Sequence, residues 1–288
     1  MLKPLRAKPT PNNTAQSDAR DEAARAADRT AAEAYEGFLL PYIFQPWAER
    51  AVRWAAPAPG EHVLDVACGT GIGARLSAPA IGPSGKVVGL DVDAGMLAAA
   101  QERLRSLKVQ TEWHCGSALE LPFADDSFDL CLCLQGLQFF PDRARGLSEM
   151  RRVLRSAGRL VVSVWSSIDR NPGNAGVYRA MERQSIDTSS PRRGFSLSDP
   201  NELRQLTESA GFRSVEIREE EIVAPFPSIR HFVEGMATGA PYTRRALEGL
   251  PEAARVQCIE DAIEILKPYE QKGKLELPLR VNIMRAVL

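Results

Sequence analysis

Hydrophobic and polar positions along this chain change period repeatedly, and each change marks an element. Short, near-continuous apolar runs over 62–67, 86–91, 130–134 and 159–165 read as strands buried on both faces, as in a parallel sheet, and the more mixed stretch 109–115 reads as a further strand. Between them, apolar residues recur at helical spacing over 74–80, 94–107 and 143–155. Met96, Leu97, Ala100 and Leu104 form one such stripe, and Leu147, Met150, Val153 and Leu154 another. Further on, 175–185 and 202–210 read as helices, 213–223 as a strand, 225–272 as mainly helical between prolines, and 275–287 as a closing strand. Strand and helix alternate, so the fold class is α/β. The expected architecture is a Rossmann-like, seven-stranded sheet, mostly parallel with its last strand antiparallel, with helices on both faces and a helical cap.

The organisation expected from these shifts is a disordered or frayed tail over 1–30 and a ligand-binding core over 31–165. A cap insertion over 166–200 follows, then the rest of the core over 201–288 with a helical cap insertion at about 225–272. Tyr35, Phe38, Leu39, Ile43, Phe44, Trp47, Ala51 and Trp54 make an apolar stripe that Pro41 and Pro46 interrupt, which predicts a helix pair packed on the sheet. Ser156-Ala157-Gly158 is expected to turn into the fifth strand.

The first strand carries the candidate chemistry. Val63-Leu64-Asp65-Val66-Ala67 runs into Cys68-Gly69-Thr70-Gly71-Ile72-Gly73, and the second apolar run ends in Asp91. Strand, glycine turn, helix and carboxylate-ended strand make a nucleotide-binding half of an α/β sheet. Glycines at the strand end let backbone approach a ligand closely, and Asp91 is placed to accept ribose hydroxyls. Gly69, Gly71 and Ala74 also satisfy a dinucleotide pattern. Asp65 separates the two readings. A diphosphate gains nothing from a carboxylate there, whereas S-adenosylmethionine, with an ammonium and a sulfonium, does.

Val63 to Gly71 resembles the first motif of class I S-adenosylmethionine-dependent methyltransferases, and Val87 to Leu97 resembles the second. Gly116 to Phe123 with Asp126-Ser127-Phe128-Asp129 is similar to the third, and Leu154 to Val162 to the fourth. Over 35–165 the chain looks most like the small-molecule branch that includes the ubiquinone/menaquinone-biosynthesis methyltransferases. The resemblance implies S-adenosylmethionine as cofactor, with contacts at Asp65, Ala67, Gly69, Gly71, Asp91, Val92, Met96, Ser117, Ala118 and Gln135. Relatives often carry Asp where Ser117 stands; Ser117 still accepts a hydrogen bond, without charge. The resemblance also implies that Tyr35 or Phe44 reaches over the cofactor.

Gln135 and Gln138 are polar groups in an apolar run at the ligand-binding edge of the sheet, and Phe139 or Phe140 is a candidate wall of an acceptor pocket. The acceptor contacts expected are Tyr35, Gln138 and Phe139. Where the acceptor needs deprotonation, His231 in the cap is the candidate base, with Tyr178 and Tyr242 weaker; His62 and His114 read as structural. The expected activity is O-, N- or C-methylation of a small aromatic or quinone-like acceptor. The alternatives are a nicotinamide-dependent oxidoreductase and a non-catalytic S-adenosylmethionine- or metabolite-binding protein.

Totals narrow the classes further. A formal charge of −1 gives no nucleic-acid footprint, and no apolar run is long enough to span a bilayer. The 5 cysteines lack zinc-like spacing, so no metal is expected, and reduced thiols place the protein in the cytoplasm. A homodimer is compatible with this reading.

Overall fold

The apolar runs pair side by side. In the computed structural model, which describes residues 32–288, the strands are β1 (His62–Val66), β2 (Lys86–Asp91), β3 (Gln110–Cys115), β4 (Phe128–Leu134), β5 (Leu154–Trp165), β6 (Arg213–Phe226), β7 (Glu270–Gln271) and β8 (Lys274–Val287). They form one sheet in the order β3-β2-β1-β4-β5-β8-β6. The first five in that order are parallel, and β8 lies antiparallel between β5 and β6. The expected strands are all present on this path; β7, a two-residue hairpin partner of β8, makes an eighth. The tail expected over 1–30 lies outside the described residues.

Alternation along the strands builds two cores. Val63 packs on one face of the sheet with Trp47, Ala51 and Ile81, while Leu64 and Val66 pack on the other with Leu147 and Met150. The helices concerned are α1 (Gln45–Ala55) and α2 (Ile72–Ile81) on the first face and α4 (Arg143–Val153) on the second, with α3 (Ala94–Leu104) beside β2 and β3. The strand order reverses between β1 and β4, so the loops after these strands diverge and open a crevice at the carboxyl ends.

Three expectations are corrected in detail. Pro41 and Pro46 do not split the first helical stripe. Residues Tyr35–Phe44 wind as a π-helix with Pro41 inside it, and the Gln45 N–H bonds the Leu40 carbonyl five residues back. The wider turn spares Pro41 the α-type bond it cannot donate, and Pro46 sits in the first turn of α1, where no donor is needed. Ser156-Ala157-Gly158 is not a turn before β5 but part of it; Ala157 takes φ +67° and the β4 pairing shifts register there, which is a bulge. The sixth strand runs on to Phe226, because residues up to it keep pairing with β8.

The roof over the crevice comes from the π-helical turn, α5 (Pro172–Arg183), residues 191–195, α7 (Ile229–Gly239) and α8 (Pro241–Leu247), while α6 (Pro200–Ser209) and α9 (Glu252–Leu266) lie off the cavity wall. Of these, α9 packs on both α5 and α7, α7 also packs on the π-helix, and α6 packs on α4 beneath.

Candidate ligand site at the carboxyl edge

A cavity of about 420 Å³ fills the crevice, within the usual range for a small-molecule site. Its floor is the ends of β1 and β2, the turn after β3, and the loop after β4; its roof is the π-helix and cap.

Asp65 lies in β1 on the same face as Val63, directed at the start of α2. It is 1 % exposed, and one carboxylate oxygen accepts the Ala74 N–H at 3.0 Å. Burial pushes its pKa up to about 7, against the Ala74 hydrogen bond, with Asp91 raising it further. Among the described residues no cationic group offsets this burial, so the site holds an unanswered demand for positive charge. Asp91 ends β2. Its two oxygens accept the Gly69 N–H at 2.8 Å and the Asp93 N–H at 2.9 Å, and burial raises its pKa too. Asp91 thereby ties the glycine turn to the next strand, and each oxygen keeps a lone pair for a ligand. Asp93 in turn caps α3 through the Gly95 and Met96 amides.

Gly69 takes φ +54° at the cavity wall, and a Cβ built there meets no atom within 4 Å. Gly71 is different, and its expected ligand contact is corrected. It is not among the residues lining the cavity; at φ +85° its missing Cβ faces the Leu104 side chain at 2.6 Å and Trp113 at 3.0 Å. That glycine serves the packing of the turn onto α3 and β3. Ala67 and Gln135, both on the wall, also hold positive φ, +56° and +60°. Such strain in non-glycine residues concentrates at binding sites.

Val92, Met96, Ser117 and Ala118 line one end of the cavity. Val92 is 73 % exposed, a large apolar side chain with nothing over it. The Ser117 hydroxyl accepts the Leu119 N–H at 3.1 Å, closing the turn after β3. At the other end, Gln138 donates to the Gln135 side-chain oxygen at 3.0 Å. That leaves the Gln135 amide nitrogen and the Gln138 oxygen buried without partners, one donor and one acceptor.

Aromatic rings make the rest of this end. Phe139 stacks on Tyr242 with centroids 4.8 Å apart, Trp165 on Phe195 at 5.8 Å, and Phe44 meets Trp165 edge-on at 6.3 Å. Tyr35 stacks on Phe44 at 5.0 Å. Burial, then the charges of Glu36, Asp91 and Asp65, push its hydroxyl far above the ordinary phenol range. Both Tyr35 and Phe44 are on the cavity wall.

His231 is not brought to the cavity. Its ring lies against Phe38 and Tyr42, centroids 4.9 and 5.5 Å away, and holds α7 to the π-helix; the reading of it as a base is corrected on that ground. His62 and His114 also lie off the wall. Tyr178 does line it, but its hydroxyl donates to the Pro191 carbonyl at 3.2 Å and burial raises its pKa, so it is a poor base. Pattern reading passed over Asn174, Thr243, Trp165 and Phe195, all on the wall. Asn174 is the one with a sequence signal, a polar residue four before Tyr178 on the buried side of a helix.

Residues 39–182 match the ubiE/COQ5 methyltransferase family. A 2-phytyl-1,4-naphtoquinone methyltransferase from Synechococcus elongatus is 39 % identical over 118 residues, covering 40 % of this chain and 51 % of that protein. A demethylmenaquinone methyltransferase from Alkalihalophilus pseudofirmus is 32 % identical over 186 residues, covering 60 % of this chain and 78 % of that protein. The chain spans about half the length of several curated relatives it matches. Among solved structures, the YcgJ protein of Bacillus subtilis superposes with a TM-score of 0.54 at 18 % identity, over 83 % of this chain and 97 % of that one. A Haemonchus contortus phosphoethanolamine N-methyltransferase superposes with a TM-score of 0.57 at 19 % identity, over 90 % and 57 %. At such identity these two speak for the fold.

Proposed function

We propose, because this chain belongs to the ubiE/COQ5 methyltransferase family, that it is an enzyme moving the methyl group of S-adenosylmethionine onto a small aromatic or quinone-like acceptor. The observation that carries the cofactor reading is Asp65, a buried carboxylate with a raised pKa and, among the described residues, no cation beside it. An amino-acid ammonium answers that demand; a diphosphate worsens it, which counts against a nicotinamide cofactor.

Bound S-adenosylmethionine supplies a methyl group activated on a sulfonium. Asp65 takes the ammonium of its amino-acid tail, and Gly69 leaves room for the backbone approach. Asp91 accepts ribose hydroxyls on the lone pairs its backbone donors leave free. Val92 and Met96 flank the adenine, with Ser117 and Ala118 at its edge and Gln135 beside the reacting end. The aromatic chamber then receives the acceptor, against Tyr35, Gln138 and Phe139. Stacked aromatic walls suit a flat ring, and the naphthoquinone and menaquinone names of the relatives support that class.

Catalysis on this reading is chiefly positioning. Among the described residues, the wall at the acceptor end offers amides, hydroxyls, rings and the Arg245 guanidinium, with no histidine and no carboxylate. Holding a flat acceptor in line with the sulfonium in a water-poor chamber is worth up to about 7–11 kcal/mol. His231→Ala should therefore leave turnover within about twofold while lowering stability by roughly 1 kcal/mol through the lost ring contacts. Steady-state kinetics and a urea melt read both; a turnover loss of a hundredfold would restore His231 as a base.

Asp91→Ala should weaken S-adenosylmethionine binding by about 1.5–3 kcal/mol, since a charged acceptor of ribose hydroxyls is lost. Isothermal titration measures it, and an unchanged dissociation constant removes the ribose assignment. Transfer from labelled S-adenosylmethionine to 1,4-naphthalenediol tests the activity as a whole. Tight binding with no transfer to any ring acceptor would leave a metabolite-binding protein instead. The described helices include none long and apolar enough to cross a membrane. The free cysteines, four of them buried, support a cytoplasmic site of action.

A further inference from the structure

Two short turns carry facing walls of the aromatic chamber, and both are held from outside it. Leu137–Phe139 presents Phe139, and Arg193–Phe195 presents Phe195. They meet directly, since a Cβ built on Gly194 would stand 3.5 Å from the tip of the Phe139 ring. Beyond that contact the first ring stacks on Tyr242 and the second on Trp165. The turns come from distant parts of the chain, so their spacing is set by what ties them together.

Behind them lies a hollow on the outer surface. Arg143, Arg193, Ser196 and Glu202 line it, and it shares Gln138, Phe140 and Pro141 with the chamber wall. In the first turn, the Phe139 and Phe140 amides use the Gly136 and Leu137 carbonyls. The next two carbonyls are met by arginines from the hollow. Arg143 donates through Nη2 to the Gln138 carbonyl at 3.3 Å and the Ser196 hydroxyl at 2.5 Å, and through Nη1 to Glu202 at 3.0 Å. Arg193 reaches the Phe139 carbonyl only at 3.5 Å, a weaker tie. The Ser196 hydroxyl has one proton, and its nearer acceptor is the Arg193 carbonyl at 2.7 Å, which closes the second turn. One guanidinium thus bridges both turns, with Glu202 aiming it. Its planar fork of donors allows this, and a lysine has no such fork. Arg143 opens α4, which Leu147 and Met150 bury against the sheet, so the clasp has a fixed anchor.

We propose that Arg143 is a positioning residue for the methyl acceptor. It lies off the chamber wall and fixes the relative placement of Phe139 and Phe195, the rings against which the acceptor lies. This deepens the function proposed above and rests on its reading of the aromatic chamber as the acceptor site. The clasped groups, Gln138 and Ser196, are each one residue from a wall ring, so a lost clasp acts there first. Asp65 and Asp91 are held by backbone amides of their own, and none of those bonds passes through Arg143. Losing the clasp therefore weakens the acceptor and spares the cofactor.

The probe is 1-naphthol, titrated calorimetrically into the full chain with and without S-adenosylhomocysteine. The variants are Arg143→Gln, Arg143→Lys, Ser196→Ala and the double variant Arg143→Gln with Ser196→Ala. Arg143→Gln should weaken the naphthol about tenfold and S-adenosylhomocysteine by no more than about twofold. Arg143→Lys keeps the charge without the fork and should fall between this variant and the unsubstituted protein. Ser196→Ala, at an exposed residue, should weaken the naphthol about threefold. The double variant should be no weaker than Arg143→Gln alone, because both substitutions act through one bond. Losses that multiply, an unchanged naphthol affinity in Arg143→Gln, or equal losses for naphthol and S-adenosylhomocysteine overturn the proposal. If Arg143→Gln does not fold, unchanged naphthol affinity in both Arg143→Lys and Ser196→Ala overturns it. If S-adenosylhomocysteine does not bind but the naphthol losses appear, the cofactor reading falls and the Arg143 assignment stands. If S-adenosylhomocysteine binds and the naphthol binds no form of the protein, the chamber is not the acceptor site and both readings fall. If both bind and the substitutions are silent, Arg143 alone is wrongly assigned.

Discussion

Asp65→Asn is expected to move stability and ligand affinity in opposite directions. The substitution keeps an oxygen for the Ala74 N–H and removes the charge. For the ligand, the ammonium of S-adenosylmethionine would enter a buried site with no counter-charge. Removing one partner of a buried ion pair costs about 3–5 kcal/mol, so affinity at pH 8 should fall by at least a hundredfold. For the ligand-free protein the sign reverses. The folded chain holds the Asp65 proton to about pH 7 and the unfolded chain only to the ordinary 3.8. The folded state therefore binds the extra proton between these values, and wild-type stability contributed by this group is lost as pH rises across that window. Asparagine carries no such loss, though its NH₂ is buried without a mapped partner. The variant should match or trail the wild type at pH 5 and lead it by about 1–2 kcal/mol at pH 8, the difference between a buried charge and an orphaned amide. Urea melts at both pH values read this. A gap that does not widen with pH would show that Asp65 titrates normally.

The same proton should appear in binding. An ammonium beside Asp65 lowers its pKa, so binding below pH 7 expels a proton, and affinity should climb by up to roughly tenfold per pH unit between about pH 5 and 7 before levelling. In Asp65→Asn that slope should vanish. Titrations in buffers of different ionisation enthalpy count the protons directly.

Much of the frame was legible because local and global preferences agree in it. Val63–Val66, Asp65 apart, and Val87–Leu90 are apolar on both faces, as strands buried in a parallel sheet must be, and glycines and carboxylates punctuate them. Asp65 and Asp91 stood out since a charge at the end of an apolar run needs a reason. What escaped was whatever depends on how distant segments dock. His231 looked like a base because it was a lone histidine in a cap. Only the packing of α7 on the π-helix shows its ring used up against Phe38 and Tyr42. Trp165 and Phe195 lie 30 residues apart in the sequence, and only the fold stacks them across one chamber. Pro41 read as a helix break since nothing in composition announces a π-helix.

Gly71→Val should destroy the fold rather than the ligand site, and Gly69 supplies the contrast. At Gly71, φ is +85°, where an L-residue pays about 1–2 kcal/mol and a β-branched one more. Its first side-chain carbon would also stand 2.6 Å from Leu104 Cδ1 and 3.0 Å from Trp113, and overpacking of that kind costs about 1–3 kcal/mol. Together these reach about 3–5 kcal/mol, a large part of the 5–15 kcal/mol that holds a typical domain. The variant should melt many degrees lower or fail to accumulate. At Gly69 the would-be Cβ meets no protein atom, so Gly69→Ala should cost the fold only about 1 kcal/mol for its positive φ. It should still weaken S-adenosylmethionine binding by tenfold or more, because the methyl occupies the space the backbone leaves for the ligand. Thermal melts and titrations on the pair separate the roles. A folded Gly71→Val protein that binds poorly, beside a Gly69→Ala protein that binds normally, would exchange the two glycines: Gly71 would be the one on the ligand and Gly69 the one under the turn.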